Sequence, residues 1–243
     1  MLRIIKHCIR RFRLFIIHLR NCCKPHLQLS GKTVIIAPHP DDEVIGCAGL
    51  IQALVERGVP PHVIILTGGE GSHRGCCDTP DSHIIAARQQ LTTKAMETLG
   101  LPESHIHHLK YPDGGIDFAH SETENLKALL VQLSPKALFL PHWGEGWSDH
   151  TKVAGIVKEL TKQLTADIYE YCVWMWYYNV WKLDYRNARI LKMSARQHKR
   201  KQQAIKQYVA PLAPCGKPWS GVLPKAFLKA ARWNKELYFR VKA

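Results

Sequence analysis

No C-x-x-C pair occurs among the eight cysteines, and no acidic residue falls within the first 24 positions. The chain also lacks internal repeats, low-complexity tracts and any apolar run long enough to cross a bilayer. Each absence excludes a class. Without spaced cysteine pairs no disulfide or thiolate-metal framework is expected; Cys22–Cys23 and Cys76–Cys77 are merely adjacent, and Cys47 in its apolar run reads as a small hydrophobe. A reducing compartment, the cytoplasm, is therefore expected. Gly68–Gly75 reads G-G-E-G-S-H-R-G, neither a G-x-G-x-x-G fingerprint nor a P-loop, so no dinucleotide cofactor is expected; its glycines suit a mobile active-site loop. No nucleic-acid-binding motif accompanies the basic charge, and no nucleic-acid partner is expected.

What is present is a chain of 243 residues with 46% hydrophobic and 22% charged residues, an ordinary globular balance with enough length for one domain plus extensions. The formal charge of +14 is less ordinary. Half of the excess lies in Arg3, Lys6, Arg10, Arg11, Arg13, Arg20 and Lys24, and a second concentration runs from Lys182 to Lys206 with Asp184 as its one acid. Such a balance attracts anions, whether lipid headgroups or a phosphorylated substrate. In the N-terminal segment the longest apolar run, Leu14–Ile17, is broken by His18 and lacks a small-residue cleavage site, which argues against a signal peptide. Leu2, Ile5, Ile9, Phe12, Ile16 and Leu19 recur at helical steps beside a stripe of Arg3, Lys6, Arg10 and Arg13. Residues 1–28 are read as a basic amphipathic helix, lying on an anionic membrane surface or docked on the remaining domain, 29–243.

After Pro25, strand-like and helical stretches alternate. Thr33–Ala37, His62–Leu66, His105–Leu109, Ala137–Leu140 and Ile168–Trp174 read as strands. Helices are expected near Glu43–Arg57, Ser82–Leu99, Ser121–Leu133, Val153–Leu164 and Ser194–Tyr208. Such alternation predicts an α/β, Rossmann-like three-layer fold with a mostly parallel sheet, and places ligands beyond the carboxyl ends of the strands. Residues beyond Lys182 are read as a C-terminal appendage to the same domain.

The chemistry lies at those strand ends. His39, Asp41 and Asp42, in P-H-P-D-D-E at 38–43, follow the first strand. An imidazole and a carboxylate suit zinc, and a second carboxylate can take a proton from water. A solvated turn with Asp41 or Asp42 capping a helix would use the same residues. A third ligand should come from another strand end, and His150 is the natural candidate. Arg88 alone could be a surface residue, and Asp113 alone could form an Asp-Gly turn. His105, His107 and His108 alternate around a strand and are not read as ligands, and the aromatic run Tyr169–Tyr178 fits core packing or a sugar platform.

Together with A-R-Q-Q-L-T-T-K-A-M-E-T-L-G at 87–100, Y-P-D-G-G-I at 111–116 and D-H-T-K-V-A at 149–154, the first motif resembles the PIG-L/LmbE-type N-acetylglucosaminyl deacetylases over roughly Thr33–Tyr171. The resemblance implies Zn2+, or another divalent metal such as Fe2+, on His39, Asp42 and His150, with Asp41 as general base. It places Arg88 and Asp113 against an N-acetylated amino-sugar substrate and implies metal-assisted amide hydrolysis, while the basic N-terminus suits an anionic or lipid-linked form of that substrate and a cytoplasmic enzyme peripheral on the membrane. The pattern departs at one point. Where the family commonly reads H-P-D-H, this chain reads W-S-D-H, so Trp147 replaces the histidine that assists the leaving amine. An indole cannot shuttle a proton. His142 in the same loop could substitute, Asp41 could return its own proton, or activity could be impaired. An amide other than a lipid-linked sugar, such as a thiol conjugate or antibiotic intermediate, is the alternative substrate.

Overall fold

The computed structural model describes residues 2–28, 31–76, 78–163, 165–178 and 180–241, so the expected domain boundary at 29 and helix end at Leu164 lie outside the described residues. Strands β1 (Thr33–Ala37), β2 (His62–Thr67), β3 (Ile106–Tyr111), β4 (Ala137–Pro141) and β5 (Asp167–Tyr171) run parallel in the order β3-β2-β1-β4-β5. Two further strands, β6 (Ala188–Lys192) and β7 (Lys235–Arg240), extend the sheet antiparallel beyond β5. The C-terminal quarter, beyond Lys182, thus contributes two strands to the same sheet, and β6 was not anticipated in its basic surroundings.

Helices α1 (Leu2–Arg20), α2 (Asp42–Glu56), α3 (Asp81–Leu99), α4 (Glu122–Leu133), α5 (Ser148–Leu160), α6 (Met175–Tyr178), α7 (Ala195–Val209) and α8 (Lys225–Ala231) join and cover the strands. The period of two along β1 divides the core. Ile35 and Ala37 pack with residues of α2, α3 and α7 on one face, while Val34 and Ile36 pack with those of α4 and α5 on the other. Burial on both faces explains why β1 is a continuous apolar run. On the first face α2 lies unusually close to the sheet: a Cβ at Gly46 would stand 2.3 Å from the Tyr171 ring. Because β2 and β3 lie to one side of β1 and β4 and β5 to the other, a crevice opens beyond the carboxyl ends of β1 and β4.

The N-terminal helix docks, but through a different seam from the one its spacing suggests. Leu14 and Ile17 are buried against residues of α6, β6 and β7, and the Arg10 guanidinium lies 4.0 Å from the Tyr177 ring centroid. Lys235 donates to the His18 carbonyl oxygen. Ile5, Ile9, Phe12 and Leu19, the expected docking stripe, face outward. Both sides of α1 are apolar enough to pack, and the aromatic surface formed by distant residues selects one. Among the described residues no helix is long and apolar enough to cross a membrane.

Candidate active site

The turn after β1 is fixed before any of its own side chains acts. The Pro38 carbonyl oxygen accepts from Thr67 N at 3.0 Å and Thr67 Oγ1 at 2.9 Å, tying the end of β1 to β2. Asp41 then adopts φ 124°, and its carbonyl accepts from Val44 and Ile45 to begin α2. Although Asp41 stands at the N-cap, its side chain makes no capping bond. Its own amide donates to Glu43 Oε2 at 2.9 Å. Asp42 Oδ2 accepts from His39 N at 3.0 Å. Neither aspartate is spent on capping the helix, so a simple capped turn does not account for the motif.

Asp42 Oδ2 lies 3.2 Å from His39 Nδ1 and 3.2 Å from His150 Nε2, which arrives on the first turn of α5. That helix starts at Ser148, five residues ahead of the sequence expectation, and so carries Asp149 and His150 inward. The second nitrogen of each imidazole meets a carboxylate: His39 Nε2 is 3.2 Å from Asp149 Oδ2 and 3.2 Å from Asp113 Oδ1, and His150 Nδ1 is 3.4 Å from Glu145 Oε2. Carboxylates in this outer position orient imidazoles that hold a metal. Both nitrogens of His150 are buried without a hydrogen bond of good angle, although each faces an acid at close range. Asp41, Asp42, Glu43, Glu145 and Asp149 are all buried here, with Arg88 as the buried guanidinium among them. So much negative charge out of water calls for a cation. The donor set, two imidazoles and one carboxylate, fits a divalent ion of the zinc class.

The electrostatics follow from this crowding. Burial pulls His39 down, yet its hydrogen bonds to Asp113, Asp149 and Asp42 hold it well above the ordinary imidazole range. Burial likewise opposes the charged form of His150, but Asp42 and Glu145 leave it at about 9. For Asp42, burial is outweighed by His150 and His39, and its carboxyl lies below the usual range. Asp41 goes the other way: burial raises it well above that range, with the Arg88 guanidinium partly opposing. Two adjacent carboxylates are therefore held in opposite senses.

Arg88 is not a surface residue. From α3 it donates to the Gly69 carbonyl oxygen at 3.0 Å and to that of Pro40, and Nη2 lies 3.3 Å from Asp41 Oδ2. Asp113 is committed at both oxygens, Oδ2 to Gly71 N at 2.9 Å and Oδ1 to His39. These residues border a cavity of about 400 Å³. Its lining also includes Trp147, Trp174, Val222, Leu223 and Phe227, with Trp147 stacked on Trp174 at 5.0 Å between centroids and 9° between planes. Of the aromatic run 169–178, Trp174 borders the cavity, whereas Tyr169 and Tyr171 are core. Sequence reasoning missed Glu145, although it lies within P-H-W-G-E-G-W-S-D-H, and missed the 222–227 wall, which no motif marks.

His142, expected as a second proton carrier, does not border that cavity. Its amide donates to the Tyr171 carbonyl oxygen at 2.8 Å, continuing the β4–β5 ladder, and its side chain meets Glu170 Oε2 at 3.2 Å. With Nδ1 accepting from Gly144 N at 3.0 Å and burial lowering the imidazole to about 4, it sits as a neutral, structurally committed histidine. His105, His107 and His62 cluster at the start of β2 and β3, where His62 stacks on His105 at 4.3 Å.

A model of the GlcNAc-PI de-N-acetylase family, PIG-L, matches residues 34–161, just over half of the chain. Diacetylchitobiose deacetylase of Thermococcus kodakarensis is 29% identical over 124 residues, covering 49% of this chain and 45% of that protein, so the match spans less than half of the relative. The solved N,N'-diacetylchitobiose deacetylase from Pyrococcus horikoshii, in complex with its inhibitor, is similar with TM-score 0.59 and 21% identity, over 72% of this chain and 68% of that one. So is 4-carboxy-2-hydroxymuconate hydratase from Pseudomonas putida, with TM-score 0.57 and 15% identity, over 74% and 83% of the two chains. At these identities the solved structures share the three-layer fold alone. A hydratase among them shows that the fold does not fix the chemistry, which must be argued from the site.

Proposed function

The chain belongs to the GlcNAc-PI de-N-acetylase (PIG-L) family, and on that premise we propose that it is a metal-dependent hydrolase removing the acetyl group from an N-acetylglucosamine-type amino sugar. The observation that carries the reading is Asp42 Oδ2 standing 3.2 Å from both His39 Nδ1 and His150 Nε2, beside an Asp41 carboxylate that does not cap its helix. His39, Asp42 and His150 would hold Zn2+, and Fe2+ or cobalt suits the same donors. When bound, the cation supplies Lewis acidity toward the acyl carbonyl and acidifies water. Asp41 accepts the proton of the attacking water and then returns it to the leaving amine, since Trp147 cannot shuttle a proton and His142 is held by Glu170. Arg88 positions Asp41, and Asp113, held by Gly71 N and His39, accepts from a sugar hydroxyl at a lone pair those partners leave over. The stacked Trp147–Trp174 pair offers a flat wall for the C–H face of a pyranose.

The test is acetate release from free, nucleotide-linked and lipid-linked N-acetylglucosamine, with and without chelator. Release that chelation abolishes and added Zn2+ restores is the expected result. No release from any of them, in protein verified to hold metal, would overturn the reading. The apolar wall of Val222, Leu223 and Phe227 favours one alternative, the same chemistry on a non-sugar amide, and an amide library tested alongside distinguishes it.

Residues 1–28 are further proposed to hold the catalytic unit, 29–243, against an anionic membrane surface, which suits a lipid-linked substrate. Beyond its docked seam, α1 presents Ile4, Ile5, Ile9, Phe12, Phe15 and Leu19 to solvent, with Phe12 65% exposed, next to the exposed cations Lys6, Arg11 and Arg20. The double variant Phe12→Ser/Phe15→Ser is expected to cut sedimentation with phosphatidylserine vesicles several-fold while acetate release from a soluble substrate is retained. Unchanged sedimentation would refute membrane attachment through this face.

A further inference from the structure

A second cluster of ligand-type atoms lies outside the centre described above. His73 and Cys76 belong to the turn that follows β2, and Cys215 belongs to the loop between α7 and α8. Cys76 Sγ is 3.6 Å from His73 Nδ1 and 2.8 Å from Cys215 Sγ, and Cys215 Sγ is 3.5 Å from His73 Nδ1. Three donor atoms from two separate loops thus converge on one point. Tetrahedral zinc, with bonds of about 2.3 Å to sulfur and 2.0 Å to nitrogen, places sulfur and nitrogen ligands roughly 3.5 Å apart and two sulfurs roughly 3.8 Å apart. Both sulfur–nitrogen separations already have that value. The sulfur pair is closer, so filling the site would part the two thiols by roughly 1 Å.

We propose that His73, Cys76 and Cys215 form a zinc site that staples the turn after β2 to the loop 211–224. The ligand chemistry is soft enough to select zinc over magnesium or calcium. Binding converts two thiols to thiolates and releases two protons, giving a neutral Cys2His centre with solvent in the fourth position. The neighbouring thiol of Cys215 and burial hold the Cys76 thiol up, while the Lys217 ammonium beside it favours the thiolate.

Its position gives the site a purpose. Ser72 Oγ donates to the Trp219 carbonyl oxygen at 3.2 Å, and the His73 ring meets the Trp219 ring edge-on at 5.5 Å. The two loops so joined both line the active-site cavity, one through Gly71, Ser72 and Arg74 and the other through Ser220, Gly221 and Val222. A metal there would hold these two parts of the cavity lining together. The H-x-x-C spacing at 73–76 is the local trace of the site, and a search for paired cysteines passes over it because the remaining ligand lies 139 residues further on.

The test counts metal and reads its ligands. Full-length protein prepared with zinc under reducing conditions is expected to carry two equivalents, falling to one in Cys76→Ser, in Cys215→Ser and in His150→Ala. After cobalt substitution, a thiolate-to-cobalt charge-transfer band should appear in the parent and in His150→Ala, and vanish in both serine variants. Because the band reports on thiolates alone, it is read independently of any acetate release and of the proposed deacetylase function. Should the serine variants fold poorly, titrating the parent with a mercurial should release one equivalent of zinc. Absence of the band from the parent would overturn the proposal. So would an intact mass two hydrogens short that maps to a Cys76–Cys215 disulfide in the reduced, zinc-treated protein.

Discussion

Asp41→Asn is expected to lower turnover by about 10²- to 10⁴-fold, the range for loss of a positioned general base, without loss of metal or fold. The argument begins with the backbone. Asp41 is one of two non-glycine residues at positive φ among those described, and a conformation so sparsely populated costs on the order of 1–3 kcal/mol. The turn gains an aimed side chain from that cost: the carboxylate is kept off the helix end and beside Arg88 Nη2 at 3.3 Å. Asparagine preserves shape, tolerates positive φ and still offers Arg88 an acceptor oxygen, so the turn should survive. What it cannot do is take a proton from water. The measurement is kcat on whichever N-acetyl sugar releases acetate, paired with metal content. Turnover within threefold of the parent would remove Asp41 from the proton path; loss of turnover together with loss of metal would reassign it to the ligand set.

The same motif shows why part of the site could be read from the chain and part could not. His39, Asp41 and Asp42 lie in one strand-to-helix turn, where sequence neighbours remain spatial neighbours. His150 is brought to them because β4 is the strand beside β1 and α5 begins directly after its loop. For His142 the same proximity in sequence misleads. One more residue of β-ladder turns its side chain toward Glu170 and Phe239, neither of which borders the cavity. Neither Val222 nor Phe227 has any local feature that marks it as a cavity wall, since the place of each depends on how the loop after α7, and α8 itself, pack beside the site. The fold shows a similar division. Apolar runs with turn signals located the five parallel strands to within a few residues, most clearly β1, β2 and β4, which are buried on both faces. By contrast β6, A-R-I-L-K, is short and basic, and is a strand because β7 supplies its partner.

Lys201→Met should show the opposite signature, a loss of stability with chemistry intact. Lys201 on α7 is 2% exposed and donates to Glu236 Oε1 at 2.6 Å and to the Ile45 carbonyl oxygen at 3.0 Å. Glu236 on β7, also buried, accepts in addition from Gly49 N at 2.8 Å, Leu50 N at 3.0 Å and Tyr238 Oη at 2.6 Å. One ion pair thus joins α7, β7 and the middle of α2, the helix that begins on Asp42. Gly49 is part of the device, for a Cβ there would meet Glu236 Oε2 at 2.8 Å. Removing the ammonium strands a carboxylate out of water, which costs about 3–5 kcal/mol. In a chain of this size that is a fall in Tm of roughly 10 °C. Glu236→Gln alone should cost a similar amount by stranding the ammonium instead. Combined in one chain, the two changes remove both charges, and the double variant is expected to be more stable than the sum of the single losses by about 1–3 kcal/mol. Thermal unfolding of the four proteins, with metal content and kcat measured below the transition, separates the outcomes. Strict additivity would mean that the two charges are not coupled, and a loss of kcat in the folded fraction would mean that the pair acts on the site and not only on the helix that carries it.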